Sequence, residues 1–270
     1  MSIIYIDSPR LGFTAADLST SLWLDAAEAD TVVLNGSTVS QWQDKSGLGN
    51  HVSSATVGTQ PTYLTTAFGG LPTLSFTAAG TEVLFNGAMT NFASNEDYFI
   101  AAVFEFRQLN QSWDMICGWR SAINTGTGGT PLLQAMASNQ QIGVHNTDNA
   151  DVRIKVDVTT RLTKRIATIG RTGGTNGNGG TVTVTATGHS QPSYLTSGTQ
   201  TWTSATTSGF QIGGKQASGT QFGNKYISEI ICCPANLSTT DRQKIEGYLA
   251  HKWGLTANLP AGHPYKIVAP

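Results

Sequence analysis

Phe210-Gln211-Ile212-Gly213-Gly214, then Tyr226-Ile227-Ser228-Glu229-Ile230-Ile231, then Leu237-Ser238-Thr239-Thr240-Asp241-Arg242-Gln243-Lys244-Ile245-Glu246-Gly247-Tyr248-Leu249-Ala250-His251-Lys252-Trp253-Gly254-Leu255 succeed one another in the last third of the chain. The first two read as strands that close a sheet, and the third as one helix with definite ends. Ser238 is placed to cap the free amides of the first turn, with Asp241 three residues on, where a carboxylate also suits the positive end of the helix dipole. Ile245, Tyr248, Leu249 and Trp253 recur at spacings of three and four, which lines one face with apolar side chains. Gly254 supplies the left-handed stop, after which Leu255 folds back on the final turn. Core packing of Tyr248 and Trp253 against the sheet is the reading preferred over ligand stacking.

Outward from this block the chain is a succession of short strand patterns with frequent turns. They fall at Leu22–Leu24, Val39–Gln43, Thr73–Phe76, Phe99–Phe106, Met115–Trp119, Leu132–Met136, Gln141–Val144, Val152–Val156, Lys164–Arg171, Thr181–Ala186, Phe210–Gly213 and Tyr226–Cys232. Many short strands imply a sandwich. Phe99–Phe106 is apolar on both alternating faces, as for a central strand covered on each side. Thr181–Ala186 alternates and is expected to have one wet face. The glycine-rich run 171–180 between two of these strands lacks the lysine and the helix of a phosphate loop, so it reads as a hairpin connection.

Composition sets outer bounds. Charged residues make up 12% of the chain, Gly is abundant at 30 residues and the net charge is −1, so no electrostatic footprint for nucleic acid is present. Met1–Asp7 lacks the basic start, apolar stretch and cleavage site of a secretory signal. No apolar run is long enough to cross a bilayer as a helix. Cys117, Cys232 and Cys233 are odd in number and two are adjacent, so they read as small buried side chains, not a disulfide framework.

At the other end of the chain, Leu22-Trp23-Leu24-Asp25-Ala26 precedes Trp42-Gln43-Asp44-Lys45-Ser46-Gly47-Leu48-Gly49-Asn50-His51, Gln60-Pro61-Thr62-Tyr63 and Gly70-Leu71-Pro72-Thr73-Leu74-Ser75-Phe76. Together with the terminal block and Leu259-Pro260-Ala261-Gly262-His263-Pro264-Tyr265, this pattern resembles the laminin G-like, concanavalin A-like jelly-roll domains common in bacteriophage structural proteins and bacterial surface proteins. The resemblance spans residues 18–266, is specific at both ends, and is weak through 107–205. It implies an all-β, antiparallel β-sandwich (jelly roll) with one C-terminal α-helix over residues 18–270, preceded by an N-terminal arm, 1–17. That arm carries Ile4, Tyr5, Ile6 and Phe13, apolar residues suited to docking on a partner surface or edge.

The chain was also tested for chemistry. A retaining glycosidase sets a proton donor and a nucleophile about 5 Å apart, which along one strand means acidic residues at i and i+2 or i+4. Glu105 and Glu229 stand alone, Asp151 and Asp157 are too far apart, and Glu96 and Asp97 face opposite ways. No Gly-x-Ser-x-Gly run is present, and His51, His145, His189, His251 and His263 have no evident partner. His263 reads as fixing the C-terminal segment. Asp44–Asn50 vaguely resembles a calcium loop without its distal glutamate. An Asx-type turn with Gly47 and Gly49 at positive φ is preferred, while calcium stays open because some laminin G-like domains bind it at the sandwich rim.

Sugar recognition combines an aromatic platform with polar side chains. Trp113, Trp119 and Trp202, near Asp114 and Arg120, are the glycan-binding candidates, against the alternative that such tryptophans are core or interface residues. The resemblance thus implies, first, a non-enzymatic virion protein, a capsid decoration or neck or tail accessory made in the host cytoplasm and partnered by other virion proteins or by copies of itself. Second comes a receptor-recognition protein for host-surface glycan, and last a polysaccharide-degrading enzyme. No catalytic residue, resident metal or cofactor, membrane partner or nucleic-acid partner is expected.

Overall fold

The computed structural model describes residues 12–92, 96–108, 114–119, 132–136, 141–145, 153–157, 162–173, 180–188, 195–199, 209–214 and 222–270. It is an all-β fold in which the strands pair antiparallel and the single α-helix among the described residues is Thr239–Lys252. One row of strands is built on Lys225–Cys233, with Tyr98–Phe106 along one side and Leu22–Asp25 and Leu71–Phe76 along the other. Arg165–Thr172, Thr181–Ala186 and Leu195–Thr199 extend it outward from Tyr98–Phe106. The opposing row runs from Val32–Asn35 and Thr38–Trp42 through Val52–Ser53, Leu84–Asn86 and Phe210–Ile212 to Met115–Trp119. Leu132–Met136, Gln141–His145 and Arg153–Asp157 continue that row. Thr62–Phe68 joins Leu71–Phe76 to Thr38–Trp42, so the sheet curls over on itself and closes around one core.

All nine residues of Tyr98–Phe106 are buried, which explains the unbroken apolar run. One face meets the opposing row and the terminal helix covers part of the other. Thr181–Ala186 departs from the expected wet face at its end. Thr185 is 2% exposed, because its hydroxyl lies 2.7 Å from that of Thr168 and donates to Glu246 of the helix at 2.9 Å. Thr172 pairs with Thr181, so the glycine-rich run joins two hairpin strands. The three cysteines are buried free thiols, and burial pushes Cys233 up to about 12.

The helix begins and ends as its local chemistry dictates. Ser238 Oγ accepts the Asp241 N–H at 3.1 Å and donates to Asp241 Oδ2 at 2.8 Å. With Lys244, that bond holds the Asp241 carboxyl below its usual range. Gly254 takes φ +69° and the Leu255 N–H returns to the Ala250 carbonyl at 2.7 Å, a Schellman ending. The C-terminal segment then lies across the helix. The buried His263 sets Nε2 3.1 Å from Glu246, and its Nδ1 accepts the Tyr265 N–H at 3.3 Å. A Cβ on Gly247 would stand 2.4 Å from that of Tyr265. Gly247→Ala is therefore expected to cost about 1–3 kcal/mol through overpacking, read as a lowered urea midpoint. An unchanged midpoint would show that the segment moves aside freely.

Candidate functional site

Asp25 and Glu229 are register partners on neighbouring antiparallel strands, Leu22–Asp25 and Lys225–Cys233. A one-residue irregularity between Ile227 and Glu229 precedes the glutamate, the kind of bulge that re-aims a side chain. Both carboxylates lie under the helix, Asp25 1% and Glu229 0% exposed. Lys252 Nζ reaches Asp25 Oδ2 at 2.6 Å and Glu229 Oε2 at 2.8 Å. The two oxygens are thus closer than the sum of those distances, at or inside the about 5–5.5 Å that retaining glycosidases place between their carboxyl groups.

The pair is closed by donors of the protein itself. Trp23 Nε1 donates to Glu229 Oε1 at 2.8 Å and the Tyr248 hydroxyl to the same oxygen at 3.2 Å, while Trp253 Nε1 serves Oε2. Lys45 Nζ binds Asp25 Oδ2 at 2.8 Å and sits 4.0 Å from the centre of the Trp23 ring. Burial, and then the neighbouring Asp25 charge, raise the Glu229 carboxyl above its usual range, against the opposing pull of Lys252 and Trp253. A raised folded-state value means that the folded protein holds the proton more tightly than the unfolded chain. The group's stabilisation is therefore full below the usual carboxylate range and is lost as pH rises through the folded value. Urea titrations at a series of pH values are expected to show wild type losing stability relative to Glu229→Gln as pH rises above about 4.5. A relative gain for wild type would mean that the Lys252 ammonium outweighs burial.

Tyr248 and Lys252, one helical turn apart, form a ridge shared with a cavity of about 370 Å³. Its walls are Gly12, Phe13 and Thr14 from the first described segment, Tyr248, His251 and Lys252 from the helix, and Ala269 and Pro270. The first described segment meets the C-terminal residues here, the Phe13 N–H donating to the Pro270 carbonyl at 3.0 Å. Phe13 is half-buried, with Lys244 Nζ 5.5 Å from its ring centre. His251 Nε2 lies 2.9 Å from the Tyr265 carbonyl, which can only accept, so that nitrogen carries the proton.

Of the residues expected from sequence, Trp113, Arg120, Trp202, Ile4, Tyr5 and Ile6 lie outside the described residues. Trp119 is 2% exposed and sits among Phe92, Tyr98 and Phe210, its ring 4.6 Å from that of Phe92. It is a core residue with no face to offer a sugar, a correction that follows from its strand position opposite Phe210. Asp114 is likewise 0% exposed, packed where a Cβ on Gly223 would strike it. Phe13 is half-buried and helps wall the cavity. At the suspected calcium loop, Asp44 accepts the Trp23, Ser46 and Asn50 amides at 2.9 Å each and the Ser46 hydroxyl at 2.6 Å. With Gly47 at φ +88° and Gly49 at φ +71°, it is a closed Asx-type turn whose carboxylate is engaged by the protein's own donors.

No family model matches the chain, and neither does any curated protein. Solved structures of the same fold do. The chain is similar to a Trypanosoma rangeli sialidase mutant with trans-sialidase activity, at TM-score 0.52 and 13% identity over 90% of this chain and 34% of that one. It is similar to a GH54 α-L-arabinofuranosidase, at TM-score 0.59 and 12% identity over 93% and 62%. It is similar too to the binding domain of Paraclostridial Mosquitocidal Protein 1, at 0.50 and 9% over 84% and 51%. The chain thus spans about a third of the sialidase and about three fifths of the arabinofuranosidase. What these likenesses establish is the fold alone, a β-sandwich shared with these glycosidase and binding-domain structures.

The comparison corrects two expectations. A non-enzymatic phage structural protein finds no counterpart among these structures, whose names are those of sialidases, arabinofuranosidases and a binding domain. The expected lack of enzymatic chemistry falls too: it rested on there being no acidic pair along one strand, whereas Asp25 and Glu229 come together across two.

Proposed function

We propose that this chain is a glycan-recognition β-sandwich, lectin-like in action, with its site in the cleft between the helix Thr239–Lys252 and the segments carrying Phe13 and Pro270. One observation carries the reading: Phe13, Tyr248, His251 and Lys252 line a single cavity of about 370 Å³. Ligand pockets begin at about 300 Å³ and join mostly apolar walls to a few placed polar groups, and a sugar offers an apolar ring face and hydroxyls to match. The carboxylate pair behind the cleft fixes Tyr248 and Lys252 in place. Support from outside the chain comes from the sialidase, arabinofuranosidase and binding-domain structures that share the fold.

A hydrolytic reading draws on the spacing of Asp25 and Glu229. It ranks second because the oxygens of Glu229 are engaged by indole, phenol and ammonium donors, so in this arrangement neither reaches a glycosidic bond. The two readings separate in one preparation. An oligosaccharide array is expected to show binding by the full chain, weakened about tenfold, or about 1.4 kcal/mol, in Phe13→Ala. An array without any binding would sink the proposal. Saccharide release that disappears in Glu229→Gln would put hydrolysis first.

A further inference from the structure

We propose that the glycan taken by this cleft is uncharged, a neutral pyranose or furanose, and not a sialic or uronic acid; this rests on the glycan reading above. The reason lies in where the cations have already gone. An ammonium has three protons to donate, and Lys252 Nζ has three partners, Asp25 at 2.6 Å, Glu229 at 2.8 Å and the Tyr248 hydroxyl at 3.2 Å. It has no proton left for a sugar carboxylate. Lys45, behind the same ridge, is taken by Asp25 at 2.8 Å and stands 3.6 Å from Glu28. Lys244, beside Phe13, lies 3.1 Å from Asp241.

His251 is engaged as well: its Nε2 proton is turned to the Tyr265 carbonyl, so that nitrogen is not open to a ligand. The field points the same way. Behind Tyr248 and Lys252 stand Asp25, Glu28 and Glu229, against Lys45 and Lys252. A ligand carboxylate entering here gives up its water and finds the ammonium of Lys252, the one lysine among the described residues of the cavity wall, already engaged by Asp25, Glu229 and Tyr248, which disfavours it by desolvation. A neutral sugar does not meet this penalty. It lays a ring face on Phe13 or Tyr248.

The test is a binding array of the full chain against matched oligosaccharides, each neutral member paired with its sialylated or uronic-acid counterpart at the residue that ends the chain, read at low and at high salt. The expected result is binding of neutral members, their acidic counterparts weaker by at least about tenfold, and an affinity that salt hardly changes, since no ion pair is made. Phe13→Leu, which keeps an apolar side chain and removes the ring, is expected to weaken that binding by up to about tenfold, and Phe13→Tyr to keep it. A preference for the acidic members, or affinity that falls steeply with salt, overturns this inference and leaves the glycan reading standing. An array on which neither class binds overturns the glycan reading and this inference with it.

Discussion

Replacing Lys252 by methionine is expected to lower the stability of the folded chain by about 3–5 kcal/mol, the range for breaking a buried charge set by removing one partner. Lys252 is about one-fifth exposed, and the carboxylates it neutralises, Asp25 and Glu229, are 1% and 0% exposed. Without the ammonium, two carboxylates remain side by side in a dry site, where one of them must take up a proton or the helix must lift away. Methionine keeps most of the aliphatic stem, so the loss reports on charge and not on packing. Urea unfolding checks it through a shift in midpoint at an unchanged slope. A loss below about 1 kcal/mol, the worth of an exposed ion pair, would show that solvent already neutralises the pair.

Trp253→Ala is expected to cost about 3–5 kcal/mol as well, by a different route. The ring is 3% exposed and meets Phe68 edge to face at 5.7 Å, so truncation opens a cavity between helix and sheet. It also removes the indole donor to Glu229 Oε2 and leaves a buried acceptor one partner short. Trp253→Phe fills much of the space without the N–H and is expected to recover most of the loss, separating the two contributions. If Trp253→Ala unfolded at nearly the wild-type midpoint, the helix would not be held by this ring.

Both variants act on a constellation that the sequence displays only in fragments. The helix was legible because Ser238, Asp241 and Gly254 are local signals, and Tyr98–Phe106 because an apolar run of that length needs cover on both faces. The strand Val32–Asn35 escaped notice although Asn35-Gly36 at its end is a strong hairpin signal, and Gly36 takes φ +67°. The carboxylate pair escaped for a deeper reason. Asp25 and Glu229 are 204 positions apart, and a sequence displays acidic pairs only along single strands, while strand register is fixed by tertiary pairing. One signal was present all the same: Asp25 closes Leu22-Trp23-Leu24, and Glu229 interrupts Tyr226–Ile231. A carboxylate within an apolar strand calls for a buried cation, and Lys252, on the helix that packs over those strands, supplies it.

The glycan-candidate tryptophans show the converse. Trp119 looked available because its neighbours in sequence are polar, yet its strand runs through the core, opposite Phe210. The cleft could not be read in advance, since it forms where Phe13, the helix and Pro270, far apart in sequence, converge.

The position of a bound sugar tests the central claim most directly. Crystals of the full chain grown with the tightest oligosaccharide from the array are predicted to show one saccharide per chain in the cleft, its ring against Phe13 or Tyr248. A saccharide bound instead at the segments carrying Trp113 or Trp202, with the cleft unoccupied at saturating ligand, would contradict it.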